Sequence, residues 1–128
     1  PITLVGWNLG GTIAMEVARD LPDQISQVIT LGTPTKKDST FTVAAKKLRR
    51  YGADLDWMEQ QLYQREQTPI KPLVRAINGR YDGIISKNAY QQSNNENTQV
   101  FEERCSHIGL MYHHRVWENV LQLLSKAA

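Results

Sequence analysis

The chain has 128 residues, 41% of them hydrophobic, and a formal net charge of +2. That length makes one domain with room for a real core, and so small a charge argues against a nucleic-acid-binding face. A single cysteine, Cys105, excludes an internal disulfide and points to a reducing, cytoplasmic setting. No apolar run reaches the roughly 18 residues of a membrane span. No signal peptide is visible, but the chain opens at Pro1 inside a predicted strand, so that absence carries little weight.

Ile2, Leu4 and Val5 form an apolar run without alternation, which predicts a buried parallel strand over 2–7. Gly6-Trp7-Asn8-Leu9-Gly10-Gly11 follows, and the pattern then predicts a helix over 9–20. Ile13, Val17 and Leu21 recur at fourth positions, with Ala14 and Ala18 beside them as small residues that would let the helix lie close to a sheet. Leu21-Pro22-Asp23 ends the helix. Ile25, Val28, Ile29 and Leu31 predict the next strand, closed by Gly32-Thr33-Pro34. A β-α-β order of this kind favours a parallel sheet.

Residues 35–69 break that rhythm. Phe41, Ala44, Ala45 and Leu48 have helical spacing, as do Leu55, Met58 and Leu62, and Gly52 separates the two sets. The first half is basic and the second begins acidic, with Asp54, Asp56 and Glu59 suited to a helix N-terminus. These charges read as a solvated face or as a site for an anionic partner. Leu73, Val74, Ala76 and Ile77 predict a third strand, with Asn78-Gly79 as its turn. A short helix over 87–92, a polar loop at 94–97 and a fourth strand over 98–101 follow. Residues 102–109 form a loop carrying Cys105-Ser106-His107. The last helix, about 115–125, carries Val116, Trp117, Val120, Leu121 and Leu124 on one face. The fold class is α/β: about four mainly parallel strands flanked by helices, in one domain over 1–128, with a helical cap-like insertion over 35–69.

A strand, a sharp turn and a helix, with glycines on both sides of one central residue, make the shape of a nucleophile elbow, G-x-S-x-G. The turn leaves no room for a Cβ on either flank and forces the central residue towards positive φ. Gly6-Trp7-Asn8-Leu9-Gly10-Gly11-Thr12-Ile13-Ala14 resembles the elbow of α/β-hydrolases of the lipase and esterase type. Q-V-I-T-L-G-T-P resembles the strand after that family's elbow helix. I-N-G-R-Y-D-G-I-I is similar to its acid loop, and C-S-H-I-G-L to its histidine loop. The resemblance implies the C-terminal half of that fold, with residues 35–69 where relatives carry a lid or cap. It implies a triad in the family's order: Asn8 at the nucleophile position, Asp82 as acid and His107 as base, each just after a predicted strand. The amide of Leu9 would be one oxyanion donor. No cofactor or metal is implied.

In the family the central residue is serine, and here it is Asn8. A carboxamide has no hydroxyl to deprotonate and cannot form an acyl-enzyme as serine does. The chain therefore reads as a pseudoenzyme, as a serine ester hydrolase inactivated by substitution or completed by another chain, or as an enzyme with different chemistry. Deamidation of Asn8 would create a carboxylate nucleophile, but Leu9 rather than glycine follows it, which makes that slow. Asn tolerates positive φ better than most residues, so the turn can survive the change. The resemblance lacks the family's first strands and the loop that supplies a second oxyanion donor. One edge of strand 2–7 would then be open, which predicts a homodimer or docking onto an N-terminal half-fold chain. A ligand-binding or assembly module with an apolar cleft above Asn8, taking an acyl-ester-like small molecule, is the alternative to an enzyme. A fold that persists without a selected role is a third possibility.

The remaining candidates have plainer readings. Ser106 adjoins His107 in sequence, a poor geometry for a nucleophile–base pair, and reads as a loop residue. Cys105 reads as packing. His113 and His114 should point in different directions at a helix start, which argues against a metal site. Trp7 lines a pocket or packs in the core, and Trp57 with Met58 forms an acyl pocket or a helix–helix contact.

Overall fold

The computed structural model describes residues 1–34, 49–83 and 96–126. Four runs rich in β-branched residues form strands: β1 (Ile2–Trp7), β2 (Ile25–Leu31), β3 (Leu73–Gly79) and β4 (Thr98–Glu103). They lie side by side in the order β1-β2-β3-β4, and every neighbouring pair is parallel. Val5 registers with Ile29, Ile29 with Arg75, and Ile77 with Phe101. Among the described residues three helices accompany the sheet: α1 (Leu9–Asp20), α2 (Leu55–Arg65) and α3 (His114–Lys126), with a 3-10 turn at Gly109–Met111. The helix expected around residues 41–48 and the short one over 87–92 lie outside the described residues.

Side chains alternate across a strand, so each strand serves two cores. On one face Val28 and Val74 meet Ala14 and Ala18 of α1, with Ile25 and Ile70 at the margin. The alanines let α1 lie close on the sheet, as their size predicts. Of the expected stripe Val17 packs against this cluster, whereas Ile13 is 58% exposed and Leu21 44%. On the other face Ile29, Leu31 and Ile77 meet Cys105, Leu110 and three residues of α3. Those three are Val116, Val120 and Leu123, all buried. Full burial of each stabilises by about 1.5–3 kcal/mol. The expected face is thus rotated, because Trp117, Leu121 and Leu124 face outward.

α3 is also fixed at its C-terminal end. Helix ends leave four carbonyls without intrahelical partners. The Leu123 carbonyl is one, and it accepts from Gln27 Nε2 at 3.1 Å and Arg75 Nη1 at 3.2 Å. Arg75 Nη1 also donates to Gln27 Oε1 at 2.7 Å. A cation at a helix C-terminus is favoured by the helix dipole. The helix α2 is tied to α1 through Arg65, whose guanidinium donates to Glu16 and, at 2.6 Å, to Asp20. These hydrogen bonds raise the Arg65 pKa, that to Glu16 most of all.

Among the described residues β1 pairs with β2 alone and forms one edge of the sheet. It is not the buried strand that its apolar run predicts: Ile2 is 58% exposed and Val5 41%. Apolar content without alternation reports a strand made for two covered faces, not the cover itself. Asn78-Gly79 is likewise no turn. β3 continues through both residues, pairing Gly79 with Glu103, and the chain turns at Arg80-Tyr81.

Candidate active site

All four strands point the same way, so the segments that follow them gather along one edge of the sheet, where parallel sheets place their sites. Asn8 follows β1, Gly32 and Thr33 follow β2, Asp82 follows β3, and His107 follows β4.

Asn8 sits between β1 and α1 with φ 51° and ψ −119°. It is the one non-glycine residue with positive φ among the described residues. Left-handed helical geometry has ψ near +50°, so the tolerance of asparagine for that region does not account for this conformation. The surroundings hold it instead. The Asn8 N–H donates to the Leu31 carbonyl at 2.9 Å. The Asn8 carbonyl accepts from Thr33 Oγ1 at 2.8 Å and from the Gly11 N–H at 3.1 Å. Asparagine is a favoured helix cap, yet the Asn8 carboxamide makes no cap hydrogen bond with α1. The first turn of α1 carries no acidic residue, so the positive end of its dipole is not offset there.

The glycines around Asn8 have different reasons for being glycine. A Cβ on Gly6 would lie 2.4 Å from Gly10 backbone atoms. A Cβ on Gly10 would meet nothing within 4 Å among the described residues, contrary to the symmetric expectation. Gly11 carries the second constraint, since a Cβ there would lie 1.9 Å from Thr33 Oγ1. Thr33 is fully buried and escaped the sequence reading. Gly32-Thr33-Pro34 marks the end of a strand and belongs to the Q-V-I-T-L-G-T-P resemblance, and neither points to a buried hydroxyl beside position 8.

Asp82 and His107 are brought together. His107 Nδ1 and Asp82 Oδ2 are 2.6 Å apart, with side chains 2% and 1% exposed. A carboxylate can only accept, so the contact pairs Asp82 Oδ2 with a proton on Nδ1, the tautomer that in a neutral imidazole puts the lone pair on Nε2. That Nε2 is buried and has no hydrogen-bond partner among the described residues. Trp7 lies against the same ring: the centroids are 5.0 Å apart and the planes 42° from each other. Gly32, with φ 60°, makes room on another side, because a Cβ there would lie 3.0 Å from His107 Nδ1. Leu9 opens α1 and is 44% exposed.

The lesser candidates also resolve. Ser106 Oγ accepts from the Gly109 N–H at 3.0 Å, which shapes the turn into the 3-10 segment. Cys105 is buried in the core beside α3, as its packing role predicts. Burial, then the charges of Glu103 and Asp82, push its thiol pKa up. His113 and His114 do not diverge: their rings stack with centroids 4.8 Å apart. Trp57 is 58% exposed and Met58 37%, so neither is packed away in a helix–helix contact.

No family model matches the sequence, and no curated protein matches it. Solved structures do. The BpoC protein of Mycobacterium tuberculosis, named as a candidate non-heme bromoperoxidase, superposes with a TM-score of 0.70 at 15% identity, covering 100% of this chain and 68% of its own. A monoacylglycerol lipase from Paleococcus ferrophilus gives 0.66 at 14% identity, covering 98% and 68%. Mouse α/β hydrolase domain-containing protein 10 gives 0.64 at 16% identity, covering 100% and 63%. The chain has the α/β-hydrolase fold, over roughly two-thirds of the length of these neighbours. No helix among the described residues is long and apolar enough to cross a membrane.

Proposed function

We propose that this chain carries the site of a lipase- or esterase-type serine hydrolase with its nucleophile replaced, and that it binds rather than hydrolyses. Asn8 takes the elbow position, His107 the base and Asp82 its orienter. The observation that supports this most is the buried Asp82–His107 bond of 2.6 Å, with Nε2 unpartnered among the described residues. In the serine form, the hydroxyl at position 8 gives its proton to Nε2 as its oxygen bonds the acyl carbon. The carbonyl oxygen takes up the negative charge, with the Leu9 N–H and the α1 dipole as its partners. The tetrahedral adduct then expels the alcohol, which receives the proton from Nε2. With asparagine the first step has no proton to give, and the site retains affinity for an acyl-ester-like molecule without turnover.

The test is hydrolysis of a short-chain chromogenic ester by the native chain and by Asn8→Ser, each with and without His107→Ala. Activity confined to Asn8→Ser and lost with His107→Ala is the expected result. Native turnover that depends on His107 refutes the inactive reading.

A second reading has its own observation. The β1 edge exposes Ile2, Val5 and, on α1, Ile13. An open apolar edge is normally covered. On this reading the site is completed by another polypeptide, either a second copy or an N-terminal half-fold, which would supply the second oxyanion donor. A monomer at high micromolar concentration by light scattering, with Asn8→Ser already active, rules out that requirement.

A further inference from the structure

The triad reading gives Asn8, Asp82 and His107 roles and gives Trp7 none. Yet Trp7 touches His107 twice. Its Nε1–H donates to the His107 main-chain carbonyl at 3.0 Å, across 100 positions of sequence. Its ring also lies 5.0 Å from the imidazole, centroid to centroid. Trp7 is the last residue of β1, and its backbone registers with Leu31. The next residue, Asn8, donates its own N–H to that same Leu31 at 2.9 Å. The indole is thus tied rigidly to the backbone of position 8.

Asp82 meets the imidazole at Nδ1, Gly32 packs beside it without a side chain, and the Trp7 ring stands against it. The backbone of His107 lies outside the regular strand and helix, between β4 and the 3-10 turn. Its neighbours are held by the Tyr81 N–H on the Cys105 carbonyl and the Leu110 N–H on the Ser106 carbonyl, and the Trp7 latch adds a fixed point on the His107 carbonyl itself and a wall beside the ring.

We propose that Trp7 is a positioning residue: it latches the His107 segment to the end of β1 and so sets the offset between the imidazole and position 8. The catalytic meaning of that offset rests on the hydrolase reading above. The latch itself does not, and is testable without turnover.

The test uses the native chain. A His107 Nδ1 proton held against Asp82 gives a downfield proton resonance when solvent exchange is slow, assigned by its loss in His107→Ala. Trp7→Phe keeps an aromatic ring and removes the donor. Solvent exchange of that proton should accelerate roughly five- to tenfold, the equivalent of one lost neutral hydrogen bond. Cooperative thermal unfolding of the variant guards against a collapsed fold. Phe101→Leu thins the same core and should leave the exchange unchanged. Unchanged exchange in Trp7→Phe, equal acceleration in Phe101→Leu, or no such resonance in the native chain overturns the positioning role. In the Asn8→Ser background, Trp7→Phe should lower kcat and leave KM alone. Absence of any turnover there counts against the hydrolase reading, while the exchange result still decides the latch.

Discussion

Replacing Gly6 by alanine would put a Cβ 2.4 Å from the Gly10 carbonyl carbon, the Gly10 oxygen and the Gly11 nitrogen. All three are backbone atoms in the first turn of α1, so no side chain can step aside. Relief requires α1 to move off β1, which opens the packing of Ala14 and Ala18 against Val28. Overpacked sites cost about 1–3 kcal/mol, and a clash with backbone belongs at the upper end. Gly10→Ala is the opposite case. No described residue lies within 4 Å of its Cβ, φ is not positive, and the position is helical. Alanine is favoured there by up to about 1 kcal/mol. Urea unfolding of the two variants is the assay. With a slope of about 1–3 kcal/mol per molar, the midpoints should differ by about 1 M or more, with Gly6→Ala below the native chain and Gly10→Ala at or above it. Equal midpoints, or greater damage from Gly10→Ala, would refute the assignment of the tight contact to Gly6.

Asp82→Asn replaces a charge-assisted hydrogen bond in a buried pair, and should destabilise by about 1.5–3 kcal/mol in the same urea assay. On α3, Leu123→Ala should cost about 2–5 kcal/mol. Leu121→Ala, on the exposed side, should stay within about 0.5 kcal/mol of the native chain; the reverse order would contradict the buried face. Burial holds the Cys105 thiol above its ordinary range, so the folded chain keeps that proton longer than the unfolded one. Its contribution to stability is full below the unfolded thiol's pKa, about 8.5, and is lost as pH rises through the folded value. The urea midpoint of the native chain should therefore fall above about pH 8.5, and that fall should shrink in Cys105→Ala. Arg65→Ala should lower stability slightly and less so at high salt, since the Arg65 pairs with Glu16 and Asp20 are partly exposed.

Much of this arrangement was readable from residues alone, for physical reasons that differ by element. The strands and α1 were legible because β-branched runs and a glycine-flanked turn have few alternatives. The face of α3 was not. Leu121 and Leu124 are as apolar as Leu123, and the buried one shares a face with Val116 and Val120, its carbonyl accepting from Gln27 and Arg75 of the sheet. Asn78-Gly79 misled because its local turn preference lost to pairing with β4. Gly79 is needed there for another reason: a Cβ would lie 2.7 Å from the Cys105 carbonyl oxygen. At the site, Asp82 and His107 were nameable from their loops, whereas Thr33 and Gly32 were not. Their roles exist only through close approach to Gly11 and His107, positions distant in sequence.

The most direct test of the central claim is covalent capture at position 8. A fluorophosphonate reacts with an activated serine when the hydroxyl oxygen bonds phosphorus, fluoride leaves and the base takes the proton. Intact-mass and peptide mapping of Asn8→Ser after exposure should find one adduct, at position 8. None should form in the native chain or in Asn8→Ser with His107→Ala. A folded Asn8→Ser variant that takes up no label, or labels equally without His107, would contradict the assignment of Asn8 and His107 to one site.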